Sequence, residues 1–556
     1  MFIRDTPQVP TLTLPFLPGD CTVTQMNRRS FLATLAASGL IPAGLMGSRP
    51  ALAQTAGGVL RTPAWPAPTY LNSAISTGGP ESFLSPKFYD GLLGYEFGMA
   101  PKASLATEWS MSDDGLTIEF KLRDGVKWHD GEAFTSHDVA FTFMEVLKVH
   151  HGRGRNTFAA LESVETPDDL TAIFHLSRPT PALMRALDSR ESPILPAHLY
   201  EGTDIMENPV NTAPVGTGPF KLAAYEIGSN VVMVKNEDYW DAGLPLLDRI
   251  VVQYIADPST RVAMLESGQA DAIFLNQIPA QDILRLAELP EFEMTTDGFE
   301  AMPSAQQMDF NLDNEYLANP LVRKAIAHAI DVNWITQNVW YGMGQPGKSP
   351  LHFDQRAYFT TEGVPEYAFD PARANELLDE AGYPRGAGGM RFDLMLDPSP
   401  WGTESITAAS YIREVLRQVG INVTVRTQDF AVFVQTVYTD RAHDLSLYTA
   451  SMGVDPTIGV HRFYDSRNFN PGAGFSNGSH YANPEVDALL DAAAVETDEA
   501  ARAEQYAQFQ RLVYEDLPTL KVTDISMATI ANVKVKDHTI DALGALGSLK
   551  QVWIDE

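Results

Sequence analysis

Residues 105–139 read LATEWSMSDDGLTIEFKLRDGVKWHDGEAFTSHDV, and this stretch carries the strongest fold signals in the chain. Apolar and polar residues alternate over Leu116–Leu122, which predicts a half-buried β-strand. Asp113-Asp114-Gly115 comes directly before it and favours a turn over a pair of catalytic carboxylates. Ser136–Val149 has the spacing of an amphipathic helix, and we predict that Ser136 caps it.

The same alternation of short strands and amphipathic helices continues along the chain, with no fixed repeat period. It predicts an α/β protein, and several such units in a chain of this length argue for at least two lobes. The predicted helices are Ser259–Glu266, Pro371–Ala381 and Ala408–Val419. Gly382 and Gly420 are expected to end the last two helices. The predicted strands are Val251–Ile255, Asp271–Phe274, Phe392–Leu396 and Ile421–Val425.

Composition restricts the function classes. The chain has 556 residues, of which 44% are hydrophobic, as expected for a large globular protein of more than one domain. Its formal net charge is −31. Nucleic acids and anionic lipid surfaces repel such a chain, so neither is expected as a partner. Solubility explains the acidity better than a cationic ligand does.

The residues after Met26 have the order of a secretory signal peptide. Arg28-Arg29 precede Ser-Phe-Leu and a mildly apolar stretch, and Ala51-Leu52-Ala53 is a small-x-small cleavage site. The paired arginines resemble the twin-arginine class of signal peptides. Polar residues, glycine and proline dilute the apolar stretch, which favours a cleaved signal over a membrane anchor. We therefore predict a periplasmic protein whose mature chain begins near Gln54.

Residues 1–25 lack the charge pattern and the apolar core of a signal peptide. We expect them to be an upstream extension from a start codon assigned too early. The only cysteine, Cys21, lies in this extension and lacks the apolar run that precedes a lipid-modified cysteine. The mature protein is therefore expected to contain no disulfide and no lipid anchor.

No stretch of the sequence has the spacing of a catalytic motif such as G-x-S-x-G, H-E-x-x-H or a Walker loop. Pro214–Phe220 has two glycines but no lysine after them. We predict a stiff crossing segment there, in which prolines fix φ and glycines permit a sharp bend. His150-His151 are predicted to be surface histidines, because no cysteine or acidic cluster completes a metal site. We expect no enzymatic activity, no cofactor and no metal.

Four motifs in a fixed order resemble those of a known family. They are residues 105–139, Pro214–Phe220, Val322–Asp331 and Ala482–Leu490. Their pattern closely resembles the signature of family 5, the dipeptide, oligopeptide and nickel-binding family of ABC-transporter solute-binding proteins. The resemblance implies a two-lobed clamp of the type II periplasmic-binding-protein class with an extra inserted domain. It also implies a monomer that captures a peptide or peptide-like small organic solute and delivers it to permease subunits in the inner membrane.

The resemblance further implies domain boundaries. Domain I is expected at residues 54–90, 212–298 and 523–556. Domain II, which is the insertion, is expected at residues 91–211. Domain III is expected at residues 299–522. Trp128-His129-Asp130-Gly131 then lies in the insertion. A packing tryptophan and a turn are expected there, instead of a ligand site.

Two segments resemble those that line the cleft in this family. Thr77-Gly78-Gly79 is similar to the first-lobe segment whose extended backbone pairs with a bound peptide. Tyr448-Thr449-Ala450 is similar to the matching strand of domain III. Together they would hold a peptide-like ligand as an added strand, binding its main chain and reading its side chains weakly. An ordinary turn is a comparable explanation for the two glycines.

Residues 451–456 depart from the pattern of the peptide binders. Those proteins have an aspartate four residues before the proline, where it pairs with the α-amino group of the ligand, and Met452 stands here instead. A methionine cannot neutralise a buried ammonium, so a ligand whose matching end is neutral, blocked or apolar is expected. Asp455 could replace the aspartate or serve in a turn. Arg462 could bind a ligand carboxylate and Trp401 could stack on the ligand, or both could be structural.

Two alternatives remain open at this point. The missing aspartate is compatible with a receptor for an opine-like compound or a metal chelate in the same fold. A secreted hydrolase such as a peptidase ranks last, because it requires a nucleophile or metal constellation that the sequence does not show.

Overall fold

The structure is a computed structural model that describes residues 54–400 and 402–555. The strands are β1 (Val59–Ala64), β2 (Leu93–Tyr95), β3 (Pro101–Ala103), β4 (Ala106–Met111), β5 (Thr117–Leu122), β6 (Leu161–Asp168), β7 (Thr171–Leu176), β8 (Phe220–Glu226), β9 (Asn230–Lys235), β10 (Arg249–Tyr254), β11 (Ala272–Ile273), β12 (Phe292–Thr295), β13 (Ser304–Phe310), β14 (Gly344–Pro346), β15 (Phe392–Pro398), β16 (Ile421–Val425), β17 (Leu445–Ser451), β18 (Thr519–Ile525), β19 (Thr529–Asn532), β20 (Val535–Lys536) and β21 (Trp553–Ile554).

The helices lie between these strands. They are α1 (Gly79–Phe88), α2 (Ser136–Phe141), α3 (Gly154–Thr157), α4 (Ala197–Tyr200), α5 (Pro258–Glu266), α6 (Ala280–Ala287), α7 (Pro320–Ala329), α8 (Val332–Asn338), α9 (Pro371–Glu380), α10 (Thr403–Gln418), α11 (Phe430–Val434), α12 (Pro456–Gly459), α13 (His461–Tyr464), α14 (Pro484–Val495) and α15 (Glu499–Asp516). Within the described ranges, no helix is long and apolar enough to cross a membrane. The predicted signal peptide, the upstream extension and Trp401 lie outside the described residues.

Two sheets position the site. One has the order β1-β10-β9-β8, with β1 parallel to β10. The larger has the order β14-β18-β13-β17-β15-β16, in which β17 is antiparallel to β13 and parallel to β15. Residues 105–139 contribute β4 and β5 to an antiparallel sheet of order β4-β5-β7-β6. A short sheet of order β11-β19-β12 joins strands from distant parts of the chain.

The strands of each sheet come from one predicted domain, with β18 as the exception. The predicted boundary between residues 522 and 523 falls inside Thr519–Ile525, which pairs with β13 along its length. The predicted boundary therefore cuts through a strand that keeps one partner along its length, and a boundary after Ile525 would leave the strand whole. The division into three domains otherwise stays a prediction.

The strand and the turn predicted before it are confirmed. In β5, Ile118, Phe120 and Leu122 are buried and alternate with more exposed residues. The Gly115 N–H donates to the Ser112 carbonyl at 2.9 Å and closes the turn. Trp128 is buried, 2% exposed, as expected of a packing aromatic.

The helix after this strand differs from the prediction at both ends. Its cap is Thr135 and not Ser136, because the Thr135 N–H donates to the Asp138 carboxylate at 2.9 Å in a capping box. The Ser136 hydroxyl instead donates to the carbonyl of Asp168. The helix continues from α2 as a π-helix over Thr142–Leu147 and ends before Val149.

The other predicted helices and strands are confirmed, with shifted bounds. The helix expected to begin at Ala408 begins at Thr403, and the strand expected at Asp271–Phe274 is shortened to β11. Gly382 and Gly420 follow their helices with φ of +91° and +90°. In this left-handed region glycine is the favoured residue, so both helix ends follow from local sequence.

The glycines of Pro214–Phe220 serve close packing and not a sharp bend. The Gly218 N–H donates to the Phe88 carbonyl at 2.8 Å, and a Cβ on Gly216 would lie 1.8 Å from the same oxygen. Neither glycine has a positive φ. The segment therefore needs glycine because it crosses directly over the end of α1.

His151 is buried and not a surface residue. Its side chain is fully inaccessible, and its Nδ1 accepts the Gly154 N–H at 2.8 Å. Burial lowers the pKa of His151 to about 4, so the ring is neutral. The side chain stabilises the turn into α3, whereas His150 is half-buried.

Candidate functional site

A cavity of about 360 Å³ lies among β1, the start of α1, the end of β17 and α13. This volume is within the range of small-molecule sites. Six of the residues predicted for the ligand site line it: Thr77, Gly78, Gly79, Thr449, Ala450 and Arg462. Their role in ligand binding stays a prediction, and the placement of Trp401 lies outside the described residues.

Part of β17 presents an unpaired edge beside this cavity. β13 pairs with the whole of β17, but β15 pairs with it only as far as Leu447. The Met452 N–H donates to the Pro303 carbonyl at 2.7 Å. In an antiparallel ladder the hydrogen bonds alternate, so the N–H and C=O of Thr449 point away from β13. They are placed to pair with an added strand, as the resemblance implies.

The opposite wall differs from the expected extended segment. Gly79 is the first residue of α1, and Gly78 is its extended N-cap, with φ −61° and ψ 152°. Gly78 therefore has extended backbone, whereas Gly79 is helical. The N-terminus of a helix has a partial positive charge, and here the buried carboxylate of Glu81 in the first turn of α1 already complements it.

Tyr448 faces the protein interior and not the cavity. Its hydroxyl donates to the Asp309 carboxylate at 2.9 Å and accepts from Gln307 Nε2 at 2.6 Å. Burial raises the pKa of Asp309 to about 7, although the hydrogen bond from Tyr448 and the charge of Arg441 oppose the change. This network fixes β17 against β13 behind the cavity wall.

Asp309 gives a pH prediction. Its pKa is about 7 in the folded protein and about 3.9 in the unfolded chain, so folding takes up a proton between these values. The stability that this proton uptake contributes is complete below pH about 4 and is lost as the pH rises to about 7. Between pH 5 and pH 8 the decline amounts to roughly 2–3 kcal/mol, and we expect Asp309→Asn to remove it, as measured by urea unfolding at the two pH values. An unchanged difference between the two pH values would contradict the assignment.

Met452 also lies in the core. It is fully buried and belongs to an aromatic cluster with Tyr448, Val460 and Phe463, and it is absent from the cavity wall. Residues two and four apart on an extended chain share a face, which explains why Met452 points inward as Tyr448 does. Met452 therefore packs in the core in this structure and does not line the cavity as expected, and the chain has no aspartate at this position.

Asp455 is already paired. Its carboxylate accepts two hydrogen bonds from Arg502, both at 2.8 Å, and caps α12 through the Thr457 N–H at 2.9 Å. Burial favours its neutral form, but the charge of Arg502 outweighs burial and holds the pKa of Asp455 below its ordinary value. Asp455 is thus a structural anion and not a free partner for a ligand ammonium.

Arg462 lies at the cavity wall with two arginines that the sequence analysis missed, Arg153 and Arg190. Arg462 Nη2 donates to the Ser451 carbonyl at 2.9 Å, and its guanidinium lies 4.6 Å from the centre of the Phe463 ring. No motif marks Arg153 or Arg190, which lie more than 250 residues before Arg462 in the chain. Only the folded chain brings them together.

Aromatic rings form the apolar part of the wall. Phe430 and Phe475 stack at 6.2 Å between ring centres, and Phe83 lies 5.7 Å from Phe274. Trp65 is 43% exposed at the rim. Among the residues that the structure describes, no group of His, Cys, Asp and Glu is arranged to hold a metal ion.

The fold and its cavity define a class. This is an α/β type II solute-binding clamp with two lobes. The model of bacterial extracellular solute-binding proteins, family 5 (middle), matches residues 100–471, and the chain belongs to that family.

Known relatives agree with this assignment. The chain is 30% identical over 512 residues to a putative ABC transporter peptide-binding protein of Brucella ovis, covering 89% of this chain and 92% of the relative. It is 30% identical over 440 residues to the glutathione-binding protein GsiB of Pectobacterium atrosepticum, covering 78% and 82%. The solved structure of the oligopeptide-binding protein AppA of Bacillus subtilis with a nonapeptide has a TM-score of 0.79 at 25% identity, covering 90% of this chain and all of that one.

Proposed function

We propose that this protein captures a peptide or peptide-like small organic solute in the cavity beside β17 and delivers it to the permease of an ABC importer in the inner membrane. The open edge of Thr449 at the cavity wall is the observation that carries the proposal. The named relatives and the nonapeptide complex of AppA support the substrate class.

In this mechanism the main chain of the solute pairs with Thr449, and the apolar wall accepts its side chains. Backbone pairing recognises any extended peptide-like chain, while the aromatic wall selects weakly by shape. Closing the lobes buries most of the solute surface, which supplies the affinity. The protein acts as a monomer and performs no chemistry on the solute.

A matched pair of glycine variants tests whether this cavity is the binding site. A Cβ at Gly79 meets no atom within 4 Å, and Gly79 lines the cavity, so we expect Gly79→Leu to fill part of it without unfolding the protein. Gly388 is equally open but lies on the exposed surface, so Gly388→Leu is the control. Native mass spectrometry of protein purified from cells should show a retained solute in the wild type and in the control, but not in Gly79→Leu.

Equal retention of the solute by both variants would contradict this site. Because each substitution adds the same apolar volume to an open glycine, a general effect of leucine would appear in both proteins. Circular dichroism of the two variants verifies that the fold is unchanged.

We also propose export by the twin-arginine route, with cleavage near Ala53. The support is sequence alone, since these residues lie outside the described range. We expect Arg28→Lys with Arg29→Lys to prevent the appearance of mature protein in the periplasm, because the route requires the arginine pair. Arg49→Lys, after the apolar stretch, is the control. Immunoblots of periplasmic fractions measure both, and undiminished mature protein in the double variant would exclude the route.

A further inference from the structure

The charged residues on the cavity wall are all of one sign. Arg153, Arg190 and Arg462 line the cavity, and the described residues of its wall include no aspartate, glutamate, lysine or histidine. The protein as a whole is strongly acidic, with a formal charge of −31. The positive charge of the cavity wall is therefore opposite in sign to the net charge of the chain.

Two buried carboxylates behind the wall, Glu191 and Asp188, offset part of this charge, and the charge of Asp188 acts on both Arg190 and Arg153. Glu191, 1% exposed, accepts hydrogen bonds from Arg153 Nε and Nη2, both at 2.7 Å, and lies 3.4 Å from Arg190. Arg153 is thereby paired in a bidentate geometry, which fixes its guanidinium. Glu191 cannot offer the same pairing to the other two arginines.

Arg190 and Arg462 keep unused donors. Arg190 is 4% exposed and donates Nη2 to the Ala301 carbonyl at 2.9 Å, but its buried Nε has no partner in the protein. Arg462 has no described carboxylate within ion-pairing distance, and its Nε is likewise buried without a partner. A buried donor without a partner costs roughly 1–3 kcal/mol, and more for a charged group.

The arginines also repel one another. Burial, and after it the charge of Arg153, lower the pKa of Arg462 to about 10, although the charge of Glu191 opposes the change. An anion bound between them would supply the missing hydrogen bonds and offset the repulsion. An ammonium group would meet three positive charges and no carboxylate on the described wall.

We propose that the solute is an anion without an ammonium group: a peptide-like acid whose amino end is acylated and whose carboxylate is bound by Arg190 and Arg462. This deepens the proposed function and rests on it, since it names the substrate class of the same cavity. The acyl end lies against the aromatic wall, and an amide in the chain of the solute pairs with Thr449.

Four forms of one dipeptide separate the two charges. Leucyl-phenylalanine is prepared free, N-acetylated, C-amidated and blocked at both ends, and each form is titrated by calorimetry into protein that has been unfolded and refolded to remove bound solute. We expect the N-acetyl acid to bind at least ~10-fold more tightly than the free dipeptide, because it removes the ammonium and keeps the carboxylate. Amidation of the N-acetyl acid should cost at least ~10-fold. Free dipeptide binding as tightly as the N-acetyl form would overturn the inference and leave the proposed function standing.

Variants assign the carboxylate to its arginine. Arg462→Gln should weaken binding of the N-acetyl acid at least ~10-fold without weakening the form blocked at both ends. Arg467 is exposed and does not line the cavity, so Arg467→Gln should change the binding of neither ligand. Equal weakening of both ligands by Arg462→Gln would reduce this arginine to a structural role and overturn the assignment.

Failure of all four forms to bind would count against the peptide-like class of the proposed function. The solute retained in native mass spectrometry then decides the inference by its charge. An acid that does not react with an amine-specific reagent would support the inference, and a solute carrying a primary amine would overturn it.

Discussion

Replacing Arg502 by methionine is expected to lower the free energy of unfolding by roughly 3–5 kcal/mol. Arg502 is 2% exposed and Asp455 is fully buried, and the two form a bidentate pair. Methionine keeps the apolar volume but leaves the Asp455 carboxylate in the interior without its counter-ion. The cost of an unpaired buried charge exceeds that of the lost hydrogen bonds.

A surface arginine serves as the control for this substitution. Arg467 pairs with Asp465 and Asp491 but is 58% exposed, so Arg467→Met should cost only about 0–1 kcal/mol. Urea unfolding, followed by tryptophan fluorescence, measures both variants. Equal losses of unfolding free energy in the two variants would show that the buried pair contributes no more to stability than the exposed one.

Neutralising both partners should recover part of the loss. In Asp455→Asn with Arg502→Met neither member of the pair carries a charge, and the asparagine oxygen can still accept the Thr457 N–H that caps α12. We expect the double variant to be more stable than Arg502→Met alone. If solute binding is also unchanged in the double variant, Asp455 has no role in the site.

The elements of the fold follow from short sequence signals. Gly382 and Gly420 end their helices in the left-handed conformation, and alternating residues form β5. These signals act over a few residues, which is why they can be read without a structure. The cap at Thr135 was missed by one residue, because Thr135 and Ser136 are both capping types and only the Asp138 contact separates them.

The site depends on long-range contacts that no local pattern encodes. Thr449 and Ala450 were placed at the cavity by the family resemblance, but Arg153 and Arg190 carry no motif. Asp455 is the clearest case. Whether its carboxylate is free or paired depends on Arg502, which lies 47 residues later on another helix. A loop aspartate before proline therefore looks the same in sequence whether it is free or paired.

Met452→Asp is expected to lower the free energy of unfolding by roughly 3–5 kcal/mol or more, because it buries a carboxylate without a partner and removes core packing. Met452 is fully buried. Its carbonyl accepts a hydrogen bond from Gln355 Nε2 at 2.9 Å, so the backbone cannot easily carry the new charge outward.

Met527→Asp is the matched control, since Met527 lines the cavity and is only partly buried. There the carboxylate can reach solvent, so the loss of stability should be about 1 kcal/mol, near the centre of the range for single substitutions. The new carboxylate also lies on the cavity wall, where it places a negative charge near the solute. We expect it to weaken binding of an anionic solute by repulsion. Urea midpoints and calorimetric titration of both variants separate the two effects. If Met452→Asp keeps the wild-type midpoint and instead binds free peptides, residue 452 faces the solute, and its placement in the core is wrong.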